Sequence, residues 1–164
     1  MVLSGAMDSA MREEVITKFA IQGLTAMGWR VLAYDFPQSG STFRLRATSG
    51  TGGGSKNQGS IIPDVVAHKG RTVIIIESKP QEDRGDVVKL LQLRDQWLDH
   101  AASLEVLIEP EAYDNVRFGI CIGLTEQSVS PLSFALDLDF VLGIQNNGST
   151  VVVHERPGSD SLLG

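Results

Sequence analysis

The chain has 164 residues, 42% of them hydrophobic, a single cysteine and a formal net charge of −6, enough for one domain with its own core and too little for two. One cysteine excludes an intramolecular disulfide and points to a reducing compartment. The sequence shows no apolar run of membrane-spanning length and no secretory leader, so a soluble cytoplasmic protein with no membrane segment is expected, and its acidity disfavours indiscriminate polyanion binding.

Residues 1–10 read as a flexible lead. From Met11 to Met27, the residues Val15, Ile16, Phe19, Ala20, Leu24 and Met27 recur at helical spacing and Gly28 stops the run, which predicts a first helix. Glu13 is in phase with its apolar stripe at Ile16, Ala20 and Leu24, whereas Glu14 lies on the polar side. Trp29 to Phe36 reads as a strand ended by Pro37. Residues 37–60 form a long Gly/Ser-rich loop in which Arg44 and Arg46 flank Leu45 and Lys56 follows a glycine run. The pattern is not that of a phosphate-binding Walker loop, and structureless stretches this long are usually functional or disordered.

Residues 61–79 are the most informative in the chain. Two β-branched runs, Ile61 to Ala67 and Thr72 to Ile76, flank His-Lys-Gly-Arg, which predicts a β-hairpin turning at Lys69-Gly70. His68 then faces Arg71 and Asp64 lies opposite Ile75. Strand side chains alternate faces and paired residues project to the same side, so Asp64, Glu77 and Lys79 converge. Asp64 lies diagonal to Glu77, roughly 6–8 Å away between Cα atoms. Two carboxylates without His or Cys suit a hard divalent ion such as Mg²⁺, which completes its octahedron with water and phosphate oxygens. A neighbouring ammonium can hold the attacking water and offset charge on a phosphate in the transition state. That is equipment for hydrolysing a phosphodiester. The bland alternative is a surface hairpin with a solvated Glu77–Lys79 ion pair.

A helix is expected from about Asp86 to Ala102, with Val88, Leu91, Asp95 and Leu98 on one turn pattern, Val87, Leu90, Leu91, Trp97 and Leu98 supplying most of the apolar surface, and Lys89, Gln92 and Gln96 along it. Val116 to Leu124 reads as a buried strand, parallel to the one bearing Glu77 because the crossover passes through a helix. Cys121 within it reads as a small buried hydrophobe. Asp137 to Leu142 and Thr150 to His154 read as further strands joined by Asn146-Asn147-Gly148, with Asp137 and Asp139 facing solvent. Residues 11–156 form one α/β domain in this reading, and 157–164 a flexible tail. His68, His100 and His154 lack zinc-ligand spacing.

Pro63-Asp64 followed by Glu77-Ser78-Lys79, on a strand, a tight turn and a strand with a helix behind, resembles the PD-(D/E)xK nuclease superfamily, which includes restriction endonucleases, Holliday junction resolvases and repair nucleases. The resemblance implies a restriction endonuclease-like three-layer α/β domain, a central mixed β-sheet flanked by helices. It implies that Asp64, Glu77 and the Ser78 carbonyl hold Mg²⁺, with Mn²⁺ able to substitute, that Lys79 is the catalytic lysine, and that products carry 5′-phosphates. An acidic residue on the first helix assists the metal in many members, and Glu13 fits that role; an acid favouring the helix dipole is the plainer account.

Between Arg30 and Arg71 six basic residues stand against two acids, a local net of +4. Phosphate neutralisation depends on local charge, so Arg44, Arg46 and Lys56 are candidate DNA contacts on a mobile flap beside the site. The expected function is therefore a Mg²⁺-dependent DNA endonuclease, restriction-type or junction-resolving. A homodimer is expected because two strands call for two sites, and a partner subunit for target recognition is compatible. The competing expectation is a non-catalytic nucleic-acid-binding or assembly subunit with a nuclease-like fold.

Overall fold

A computed structural model describes residues 11–35, 43–48, 60–81, 83–124, 135–157 and 161–162. The lead at 1–10 and Lys56 lie outside the described residues.

The chain runs through helix α1 (Glu13–Ala26), strand β1 (Arg30–Tyr34), a two-stranded ribbon of β2 (Leu45–Arg46) and β3 (Ser60–Ile61), the hairpin β4 (Val65–Lys69) and β5 (Thr72–Lys79), helix α2 (Arg84–Asp95), the short α3 (Trp97–His100), and strands β6 (Asn115–Gly123), β7 (Phe140–Ile144) and β8 (Thr150–Glu155). Six strands form one mixed sheet in the order β1-β4-β5-β6-β7-β8. The β5–β6 and β6–β7 pairs are parallel and the others antiparallel.

Alternation along β5 builds a core on each face of the sheet. Ile74 and Ile76 pack with Ile16, Ala20 and Leu24 of α1, whereas Val73 and Ile75 pack with Val87, Leu90 and Leu93 of α2. Each fully buried aliphatic side chain contributes about 1.5–3 kcal/mol, so four in a row make β5 the best-anchored strand. The tight seam between β6 and β7 depends on Gly119, where an added Cβ would lie 2.4 Å from the Phe140 ring. Among the described residues no helix is long and apolar enough to cross a membrane.

Several expectations give way. The single helix to Ala102 ends at Asp95, and α3 and a 3₁₀ turn over Ala101–Val106 follow. Gln96 leaves helical geometry at φ −108° and ψ 23°, and its carbonyl accepts from the Asp99 N–H at 3.0 Å, a three-residue bond in place of the four-residue one that would continue the helix. Val87 and Leu90 are buried on α2 as expected and Leu93 joins them, whereas Leu98, expected on the apolar surface, is 93% exposed and Val88 is exposed too. Within the expected loop at 37–60, Leu45 is fully buried and β2 pairs with β3. The strand expected from Asp137 starts at Phe140, after a 3₁₀ turn over Ala135–Asp137. Asp139 consequently turns inward, accepting from the Phe118 N–H at 2.9 Å. In the tail, Leu162 is fully buried and its carbonyl accepts from the Trp29 indole at 3.0 Å.

Candidate active site

The β4–β5 hairpin turns at Gly70-Arg71, with Lys69 facing Thr72. The sequence placed the turn at Lys69-Gly70, with His68 facing Arg71. Gly70 has φ +60° and Arg71 does not share the positive φ, the pattern of a type II′ turn, which takes glycine at its first central position. The correction moves the register by two residues along the facing strand, so every side chain keeps its face. Asp64 lies just past the last ladder pair, Val65 opposite Ile76, and its N–H donates to the Ile76 carbonyl at 3.0 Å, a bond outside the regular register that sets it beside Glu77 without pairing the two directly.

The two carboxyl groups hydrogen-bond to each other, which two carboxylates can do only by sharing a proton. Asp64 Oδ2 also accepts from the Ser78 N–H at 2.7 Å. Burial foremost, then the charge of Asp64 and its hydrogen bond, pushes the Glu77 carboxyl up to about 10, with the Asp86 field adding and Lys79 opposing. Burial likewise raises Asp64, against the Ser78 N–H and the Glu77 hydrogen bond.

Lys79 leaves the end of β5 and is held between two helices. Its Nζ lies 3.3 Å from Glu13 Oε1 in the first turn of α1 and 3.2 Å from Asp86 Oδ2 in the first turn of α2. Burial alone would lower this ammonium's pKa, but hydrogen bonds and charge from Asp86 and Glu13 carry it above the usual lysine value. Lys79 is therefore a hydrogen-bond donor and a fixed positive charge at neutral pH, not a base. Asp86 went unremarked in the sequence, where it lies across a loop from Lys79. Asp83 sets it in place, accepting from the Asp86 N–H at 3.1 Å as the helix N-cap.

Glu77, Lys79 and Asp86 line a cleft of about 480 Å³. One wall is the β2–β3 ribbon with Arg44, Ser60 and Ile61; the other is the α2 face carrying Lys89, Gln92, Leu93 and Gln96, with His100 beyond. Arg44 therefore reaches the site. Arg46 is exposed and its backbone binds Ser103 instead. His68 sits near the turn end of β4, with Nε2 3.2 Å from the Ala112 carbonyl. The Ser78 side chain points to the α1 face, fully buried, and only its backbone belongs to the site.

Among the described residues no group of three or more His, Cys, Asp or Glu side chains is arranged as a metal cage. The Asp64–Glu77 pair nevertheless fits a hard divalent ion. Mg²⁺ is commonly held by one or two carboxylates with water and substrate completing its shell, and a desolvated acid pair that must share a proton lacks a cation. Compared with family models, with curated proteins and with solved structures, the chain has no match.

Proposed function

We propose that the protein is a Mg²⁺-dependent DNA endonuclease with a restriction endonuclease-like fold, either restriction-type or junction-resolving. The observation that carries this reading is that Asp64 and Glu77 meet at the end of the hairpin, with Glu77 and the Lys79 ammonium both lining the cleft. The mixed sheet supports it too, with a hairpin followed by a helix and a strand parallel to β5. Asp64, Glu77 and the Ser78 carbonyl would hold Mg²⁺, for which Mn²⁺ can substitute. When bound, the ion neutralises the acid pair and polarises a phosphate oxygen.

Lys79 donates hydrogen bonds to the attacking water and to the phosphate, stabilising the charge that grows on its oxygens. Glu13 and Asp86 fix that ammonium from two sides. Arg44 and Lys89 bind flanking phosphates, and the leaving oxygen is the bridging ester oxygen on the 3′ side, so a 5′-phosphate remains. Cutting both strands calls for a pair of sites, hence a homodimer.

The test is cleavage of supercoiled plasmid and of a four-way junction with Mg²⁺ and with chelator, by the intact protein and by Lys79→Ala and Asp64→Ala. Cutting that needs the metal and is lost in both variants supports the proposal. Intact protein that binds DNA and cuts neither substrate favours a binding or assembly subunit.

A further inference from the structure

The cleft has a shape and a lining that a duplex-gripping surface would not need. It lies between the β2–β3 ribbon and α2, and its far end is closed where the ribbon is latched to α3 and the turn beyond it. The Arg46 N–H donates to Ser103 Oγ at 2.8 Å, the Thr48 N–H to the Asp99 carbonyl at 2.7 Å, and Thr48 Oγ1 to Asp99 Oδ1 at 2.9 Å. At about 480 Å³ the space suits a small ligand, since such sites span roughly 300–1,000 Å³. A space of that size holds a ligand no larger than about one nucleotide, so a duplex would lie across its opening rather than inside it.

Its lining is that of a base site. Ile61 presents an aliphatic wall with the buried Leu93 behind the lining, while Gln92 in the last turn of α2 and Gln96 at its C-cap present two carboxamides. Each carboxamide offers both donors and an acceptor, and glutamine pairs in bidentate fashion with adenine. Cations cluster toward the open end, at Lys79, Lys89 and Arg44. Gln92 lies six residues beyond Asp86 on α2, about 9 Å along the axis, close to the span from a cleaved phosphate to the base beside it.

We infer that the cleft receives a single unpaired nucleotide, with its base against Ile61 and its edge read by Gln92 and Gln96. The substrate is then DNA that is unpaired at the position cut: a strand end, a flap or a base turned out of a branch point. This rests on the nuclease reading for the chemistry, but the cleft's preference for single strands is measurable without cleavage.

The experiment is equilibrium binding of the full chain, in Ca²⁺, to a fluorescently labelled oligo-dA single strand and to a hairpin duplex of equal nucleotide count with no unpaired bases in its stem. Single-strand affinity about tenfold above that for the duplex is expected, a difference of about 1.4 kcal/mol. In the Gln92→Ala/Gln96→Ala variant that advantage disappears while duplex binding is unchanged; both side chains are exposed, and circular dichroism checks the fold. Equal or tighter duplex binding, an undiminished preference in the double variant, or binding to neither probe overturns the inference. Metal-dependent cutting of fully paired plasmid alongside equal binding would leave the nuclease reading standing and remove this one; failure to cut any substrate while the single strand binds selectively would do the reverse.

Discussion

Two clusters of charge are packed into this fold, and they are built on opposite plans. Beside β6 and β8, Arg117 pairs with Glu155 at 3.0 Å, Arg94 with Asp139 at 3.2 Å, and Arg156 approaches Asp139 at 3.8 Å. Backbone donors help to satisfy both acids, the Phe118 N–H on Asp139 and the Leu162 N–H on Glu155. Every acid there has a cation. At the end of β5, Lys79 is the single cation paired with Glu13 and Asp86, and Asp64 and Glu77 remain beside it with only a shared proton between them. The first cluster closes its charges and holds the sheet to the tail. The second leaves negative charge open, which stabilises nothing by itself and is suited to a cation arriving from solution.

The largest effect should come from breaking the closed cluster. Arg117, with a side chain 4% exposed, leaves the half-buried Glu155 without its cation when changed to Ala, and denaturant unfolding should show a loss of about 3 kcal/mol. At the open cluster, Lys79→Ala leaves Asp86, 13% exposed, without its cation, so unfolding stability should fall as well, and the Mg²⁺-dependent cleavage rate should drop by a factor on the order of 10²–10³, the scale of losing one transition-state donor.

A third comparison uses pH. Glu77 titrates near 4.5 when exposed and is pushed up to about 10 in the fold, so above pH 4.5 the folded chain keeps a proton that the unfolded chain releases. In the metal-free protein the stability that Glu77 contributes should therefore be fully present below about pH 4.5 and be lost as pH rises toward about 10. Glu77→Gln, which hydrogen-bonds to Asp64 without a shared proton, should flatten that decline in thermal melts and abolish cleavage. The smallest expected effect is on positioning: Asp86→Asn should reduce the cleavage rate about tenfold, with KM little changed, because the ammonium loses one of two holds, and Asp86→Glu should recover part of it.

Much of the open cluster was legible in the sequence because strand parity is robust. The turn was misplaced, yet the resulting register differs by two residues, and Asp64, Glu77 and Lys79 stay on one face in either register. Glu13 was visible through its helical phase with Ile16 and Ala20. Asp86 was not, since nothing local to a loop at 80–83 reveals how α2 returns over the strand end. The closed cluster was hidden for the same kind of reason. Asp139 alternates with apolar neighbours as a solvent-facing strand residue would, but its strand begins one residue later, and its partners Arg94, Phe118 and Arg156 come from three separate segments. The break after Asp95 falls at Gln96, whose φ of −108° and ψ of 23° leave helical geometry inside a run whose apolar spacing continues to Leu98, so periodicity does not reveal it.

The central claim is that the Asp64–Glu77 pair waits for a divalent ion, and calorimetric titration of the protein with Mg²⁺ in buffers of different ionisation enthalpy tests it most directly. One bound ion should release about one proton near neutral pH, and Glu77→Gln should lose both the binding and the release. No binding, or binding that the variant leaves unchanged, would contradict the account.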